Sequence, residues 1–240
     1  MPVSVIETFR LHWGGLRDQF LSLLFPPRCV GCRRTGAWLC VECLGQIPLV
    51  EPPFCARCGD RVVADGLCAR CQSSPLQIER IRSAAYFEGV LRKAMHGFKY
   101  RRRTALTGPL GGLMAACWAQ HSMPVDVIVP VPLHAARLRQ RGYNQAALLA
   151  REMARRVGLV VDERTLVRQR ATAPQIKLDA RQRKENVRDA FYCSSNALAG
   201  RRVLLIDDVC TTGATLEACA VALYEGGARS VQALTLARAR

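Results

Sequence analysis

Residues 203–215 read VLLIDDVCTTGAT, and the chemistry open to these side chains in this order is narrow. Asp207 and Asp208 are adjacent hard oxygen donors, suited to sugar hydroxyls or a divalent cation. Thr211, Thr212, Gly213, Ala214 and Thr215 follow at once with hydroxyls, backbone N–H groups and one glycine able to take a positive φ. Leu216 to Tyr224 then resume a helix-compatible pattern, so the turn opens on a helix N-terminus, whose unpaired N–H groups and partial positive charge favour a phosphate. Carboxylates so close to a phosphate must face another part of the ligand. A ribose 5-phosphate carrying a magnesium-bound pyrophosphate offers hydroxyls, a cation and a phosphate together.

The element that positions the acids is Val203–Ile206, a short apolar run of the kind expected for a strand buried on both faces. From Gln77 onward, strand-like and helix-like segments alternate. Strands are expected at Ile81–Phe87, Val125–Val131, around Val160 and Leu166, at Phe191–Cys193 and at Arg229–Leu236. Helices are expected at Val90–Phe98, Ala105–Gln120 and, as one element with an Arg-rich opening, Ala135–Val157. This alternation predicts a Rossmann-like α/β fold with a parallel sheet, whose ligands bind beyond the carboxyl ends of the strands. A second such end is Val129-Pro130-Val131-Pro132-Leu133-His134, where proline stops the ladder and basic residues follow.

Eight of the twelve cysteines form four CxxC pairs: Cys29/Cys32, Cys40/Cys43, Cys55/Cys58 and Cys68/Cys71. Each pair can turn two thiolates toward one ion, and two pairs close a tetrahedral zinc site, so two structural zinc ions are expected. Sequential pairing would make two small ribbons and interleaved pairing a cross-braced module; the spacing allows both. Few large apolar residues lie between the pairs, so metal must replace a core there. Cys117, Cys193, Cys210 and Cys219 sit in apolar surroundings and read as packing residues. The expected organisation is an amphipathic helix over residues 1–27, a double zinc ribbon over 28–75 and the α/β domain over 76–240.

The chain carries 35 Lys and Arg against 19 Asp and Glu, a net charge of +16. The excess is uneven: 8 basic and 6 acidic residues in 1–75, 8 and 3 in 76–133, 14 and 5 in 134–188, and 5 and 5 thereafter. It therefore lies between the cysteine module and the acidic loop, where it would attract polyphosphates or nucleic acid. Tyr86, Phe87, Phe98, Tyr100 and Tyr143 lie near basic residues and could stack on single-stranded bases, although packing explains most of them. The sequence has no run of about 18 apolar residues and no secretory leader pattern, so a cytoplasmic protein without an integral membrane segment is expected.

The order of residues in VLLIDDVCTTGAT closely resembles the 5-phosphoribosyl-1-pyrophosphate (PRPP) signature of type I phosphoribosyltransferases, with Cys210 in place of the usual aliphatic residue. Together with the cysteine pairs, GFKY at Gly97–Tyr100, RQRGYNQAALLA at Arg139–Ala150 and the Arg168–Phe191 block, the chain resembles the ComF family of amidophosphoribosyltransferase-like competence proteins. The resemblance implies a type I phosphoribosyltransferase domain behind a double zinc ribbon. It implies ribose and magnesium contacts at Asp207 and Asp208, the catalytic positions of a transferase. It places the 5-phosphate at Thr211, Thr212, Gly213, Ala214 and Thr215, and the pyrophosphate at Lys99, Arg137 and Arg183. Gln175, Leu178, Arg181, Arg183 and Asn186 match a block that would form a closing loop. Family members are linked to natural transformation and use of external DNA, which implies single-stranded DNA and a competence helicase or other uptake protein as partners. Whether PRPP is turned over, as a pentosyl transferase would, or only bound by an accessory factor, is left open, as is any acceptor.

Overall fold

The computed structural model describes residues 26–64, 66–121, 123–170, 182, 186–187 and 189–239. The segment 1–25 and most of the Gln175–Asn186 block, Arg183 included, lie outside the described residues. Two short helices, α1 (Val41–Gly45) and α2 (Ala69–Ser73), belong to the cysteine-rich part. The rest runs β1 (Arg80–Tyr86), α3 (Gly89–Tyr100), a 3₁₀ turn (Thr104–Leu106), α4 (Thr107–His121), β2 (Val127–Pro130), α5 (Ala135–Arg141) and α6 (Gln145–Val157). It continues with β3 (Val160–Val161), β4 (Leu166–Arg168), β5 (Phe191–Cys193), β6 (Arg202–Cys210), α7 (Ala214–Glu225) and β7 (Ser230–Arg238).

Five strands form a parallel sheet in the order β1, β7, β6, β2, β3. Leu204 and Ile206 of β6 join a core with Met95 and Phe98 of α3, Met114 of α4 and Leu149 of α6. Val203 and Leu205 join the opposite core with Leu216, Cys219 and Leu223 of α7. Alternate side chains of one strand thus feed two layers of helix, which is why the run is apolar without alternation. The strands near Leu166 and Phe191 are not part of this sheet: β4 and β5 pair with each other as an antiparallel ribbon against α7.

The single helix expected over Ala135–Val157 is two. His134 caps α5 by accepting the Ala136 N–H at 3.3 Å, and Gly142 ends it in the left-handed region at φ 84°. Asn144 then caps α6, its Oδ1 accepting the Ala146 N–H at 3.0 Å, while its side-chain amide donates to the Val131 carbonyl at 3.0 Å. The break carries α5 over the carboxyl end of β2.

The cysteine module lies along the free edge of β1. The Val50 N–H donates to the Ala84 carbonyl and the Tyr86 N–H to the Pro48 carbonyl, while Ile81 N–H reaches the Arg57 carbonyl at 2.7 Å. An edge strand that would otherwise offer unpaired backbone groups is covered. Cys29, Leu39, Cys43 and Ile47 share the main core, whereas Cys55, Cys58 and Cys71 form a small cluster of their own in which every buried residue is a cysteine.

Candidate functional site

The carboxyl ends of the strands open on one cavity of about 1100 Å³. Phe87 follows β1, Val131 and Leu133 follow β2, Asp207 to Val209 end β6 with Thr211 beyond, and Ala239 follows β7; all line it. The opposite wall comes from α3 and the first cysteine pair, through His96, Lys99, Tyr100, Arg28, Cys29 and Val30.

Strand β6 carries its ladder past the acids, with Asp207 opposite Thr235 and Cys210 opposite Arg238 of β7. The two carboxylates therefore sit on rigid backbone and have different partners. Asp208 faces α3, where the Lys99 ammonium lies 2.9 Å from its Oδ2. Asp207 accepts the Asp208 N–H at 2.8 Å and lies in the field of Arg168. Burial, followed by the neighbouring Asp208 charge, pushes the Asp207 carboxyl up to about 7 against the pull of that N–H, Lys99 and Arg168. A cation or hydroxyl donors placed between the acids would relieve both effects.

The turn after β6 leads directly into the N-terminus of α7. Gly213 caps α7 at φ 81° with no side-chain cap, and the Thr212 hydroxyl accepts the Ala214 N–H at 3.4 Å. Thr211 and Thr215 face the cavity. Of the residues assigned from sequence to pyrophosphate, Lys99 and Arg137 both line this cavity with the acids. The Asn186 carbonyl accepts from the Arg170 guanidinium at 3.2 Å.

Among the described residues, ten Lys and Arg side chains line the cavity against two acids, Asp207 and Asp208. Those not singled out from sequence include Arg28 and Arg33 beside the first cysteine pair, Arg92 and Lys93 of α3, and Arg101 and Arg103 behind it. The signal was the RRR run directly after GFKY. By contrast, the basic residues of α6 are spent in ion pairs, Arg151 with Glu163, and Arg155 and Arg156 with Glu152.

The cysteines resolve into sequential quartets, Cys29/Cys32/Cys40/Cys43 and Cys55/Cys58/Cys68/Cys71, each with its sulfurs within 4.8 Å of one another. The Cys32–Cys40 and Cys58–Cys68 sulfur separations are 3.7 and 3.6 Å. A tetrahedral zinc with Zn–S of about 2.3 Å requires about 3.8 Å. Burial would raise the Cys29 thiol, but N–H groups of Cys40, Cys32 and Gly31 bring it down to about 6, and those of Cys68, Cys58 and Arg57 do the same for Cys55. Burial pushes the Cys43, Cys58 and Cys71 thiols up, so one thiol of each quartet is favoured as thiolate and the four clustered sulfurs of each fit structural zinc. Cys117, Cys210 and Cys219 are buried in the apolar core and Cys193 is half-buried.

Acids at the end of a central parallel strand, a threonine and glycine turn into a helix, and two four-cysteine groups define a phosphoribosyltransferase-type α/β domain with a double zinc ribbon. Residues 20–72 match the double zinc ribbon domain, and residues 138–240 the phosphoribosyl transferase domain. The chain is 35% identical over 226 residues to DNA utilization protein YhgH of Salmonella typhimurium, covering 90% of this chain and 99% of that protein. It is 30% identical over 227 residues to competence protein F of Haemophilus influenzae, covering 88% and 97%. The chain belongs to this YhgH and competence protein F (ComF) family. Among solved structures, the glutamine PRPP amidotransferase from B. subtilis complexed with ADP and GMP is similar at 20% identity and a TM-score of 0.42, over 59% of this chain and 30% of that one. Among the described residues, no helix is long and apolar enough to cross a membrane.

Proposed function

We propose that the chain binds PRPP with magnesium at the carboxyl end of β6, as a phosphoribosyltransferase-like protein serving DNA uptake, processing or use. The observation that carries this reading is the placement of Asp207 and Asp208, with Thr211 and Thr215, in one cavity whose other charged side chains among the described residues are all basic. In it, the acids take the ribose hydroxyls, the amides and hydroxyls of residues 211–215 take the 5-phosphate, and Arg137 with Lys99 faces the pyrophosphate. Magnesium bound with the ligand would be held at the acids, beside which the Lys99 ammonium lies; when bound it would neutralise the leaving pyrophosphate. In a transferase, Asp207 and Asp208 would stabilise the cationic ribose through its hydroxyls, with the basic side chains offsetting charge on the leaving group. Saturable calorimetric binding of magnesium PRPP, lost in Asp207→Asn/Asp208→Asn, tests the reading.

A second reading is an accessory factor that binds PRPP and single-stranded DNA without turnover. It is favoured by Tyr100, 61% exposed at the cavity rim, with the Arg141 guanidinium 5.7 Å above its ring and His96 5.1 Å away. Pyrophosphate release with a base acceptor supports the transferase. DNA affinity that changes with PRPP, without release, supports the accessory factor.

A further inference from the structure

The turn formed by residues 211–215 is held from behind by the second cysteine quartet. The Arg70 guanidinium, inside the Cys68/Cys71 pair, donates to the Thr212 carbonyl at 3.1 Å. It also lies in the electrostatic field of the Cys58 and Cys71 sulfurs and of Asp60. A second guanidinium shares Asp60 as a neighbour: Arg238, 2% exposed at the end of β7, lies 3.5 Å from Asp60 and donates to the Cys210 sulfur at 3.4 Å. The chain leaving the quartet is tied to the same helix start, where Glu217 accepts the Gln77 and Ile78 N–H groups at 2.7 and 3.2 Å. Beneath the turn, Ile81 closes against Gly213 and bonds Arg57 of the quartet.

We propose that Arg70 is a positioning residue through which the second zinc centre sets the orientation of the phosphate-binding turn. This rests on the sugar-phosphate reading given above. A trans peptide points its carbonyl and the following N–H in opposite directions. Drawing the Thr212 carbonyl toward Arg70 therefore aims the Gly213 N–H away from the zinc centre, toward the side left open to a phosphate. A zinc ion with four thiolates carries a net charge of −2, and the planar fork of arginine can satisfy a sulfur and a carbonyl together, which a lysine ammonium does less rigidly. The metal centre then anchors Arg70, and Arg70 anchors the turn.

The test uses the full chain with zinc measured in every sample. Wild type, Arg70→Met and Arg70→Lys are titrated by calorimetry with magnesium PRPP and with ribose 5-phosphate, and hydrogen exchange is followed at residues 211–215. The expected result is a loss on the order of tenfold for both ligands by a similar factor, since the 5-phosphate is common to them, with faster exchange at the turn and two zinc ions retained. A merely structural role would lower the melting temperature and leave the folded protein's affinity and turn exchange unchanged. Should Arg70→Met lose the second zinc, Arg70→Lys, which keeps charge beside Cys58, carries the same comparison. Wild-type affinity and wild-type exchange in a variant holding both zinc ions would overturn the proposal. Wild type that binds neither ligand would overturn the sugar-phosphate reading, while exchange at residues 211–215, faster in Arg70→Met or unchanged, would still decide whether Arg70 orders the turn.

Discussion

Gly213→Ala probes the turn on which the phosphate reading depends. Gly213 caps α7 at φ 81°, where a Cβ meets the preceding carbonyl at a cost of about 1–2 kcal/mol. The new methyl would also lie 3.2 Å from the Ile81 Cδ1, the far end of a side chain that is fully buried, so relief requires a small shift in a packed region. For a chain of this size each kcal/mol moves the melting temperature by roughly 2–4 °C, so a fall of about 2–8 °C is expected by differential scanning calorimetry of zinc-replete protein. If the variant instead relaxes to negative φ, the Thr212 and Gly213 peptide reorients and affinity for ribose 5-phosphate should fall at least about tenfold, equivalent to about 1.4 kcal/mol. Gly108→Ala, near the start of α4 where an added Cβ would meet nothing within 4 Å, serves as the contrast and should stabilise by up to about 1 kcal/mol. The reasoning is refuted if Gly213→Ala melts at the wild-type temperature and binds ribose 5-phosphate as wild type does.

Lys99→Met removes the ammonium that holds Asp208 at 2.9 Å, and should raise affinity for manganese several-fold in the absence of sugar phosphate, read by paramagnetic resonance of the free ion. Metal analysis should find two zinc ions per chain, and Cys68→Ser should leave one, with a lower melting temperature, because the second quartet has little core besides sulfur. Asp126 is held down to about 2, from 3.8, by hydrogen bonds from the Arg202 side chain and N–H. Its stabilisation is present above about 4 and is lost as pH falls toward 2, so the stability gap between wild type and Asp126→Asn should close over that window in denaturant titrations.

The strand that carries the acids was legible because Val203–Ile206 is apolar at consecutive positions and ends in two aspartates. Its continuation to Cys210 was not, since adjacent acids read as a strand end and only the ladder to β7 overrides that reading. The break at Gly142 had its signals in place, a glycine and then an asparagine cap, but the apolar pattern runs through it and reads as continuous helix. CxxC spacing exposed all eight cysteines of the two quartets, whereas their sequential grouping is set by three-dimensional closure, since the spacing permits both pairings. Arg70 could not be found at all: its partner Thr212 lies 142 residues away, and a lone arginine between two cysteines carries no local sign of that contact. The same holds for the walls of the cavity, where Arg28 and Arg33 from one end of the chain meet Asp207 and Asp208 near the other.

The account's central claim is a sugar-phosphate site between the acids and the α7 turn. The most direct measurement is calorimetric titration of the zinc-replete chain with magnesium PRPP, beside Asp207→Asn/Asp208→Asn with the same zinc content. The account predicts saturable binding to the wild type and its loss in the double variant. No binding by the folded wild type, or equal binding by the variant, would contradict it.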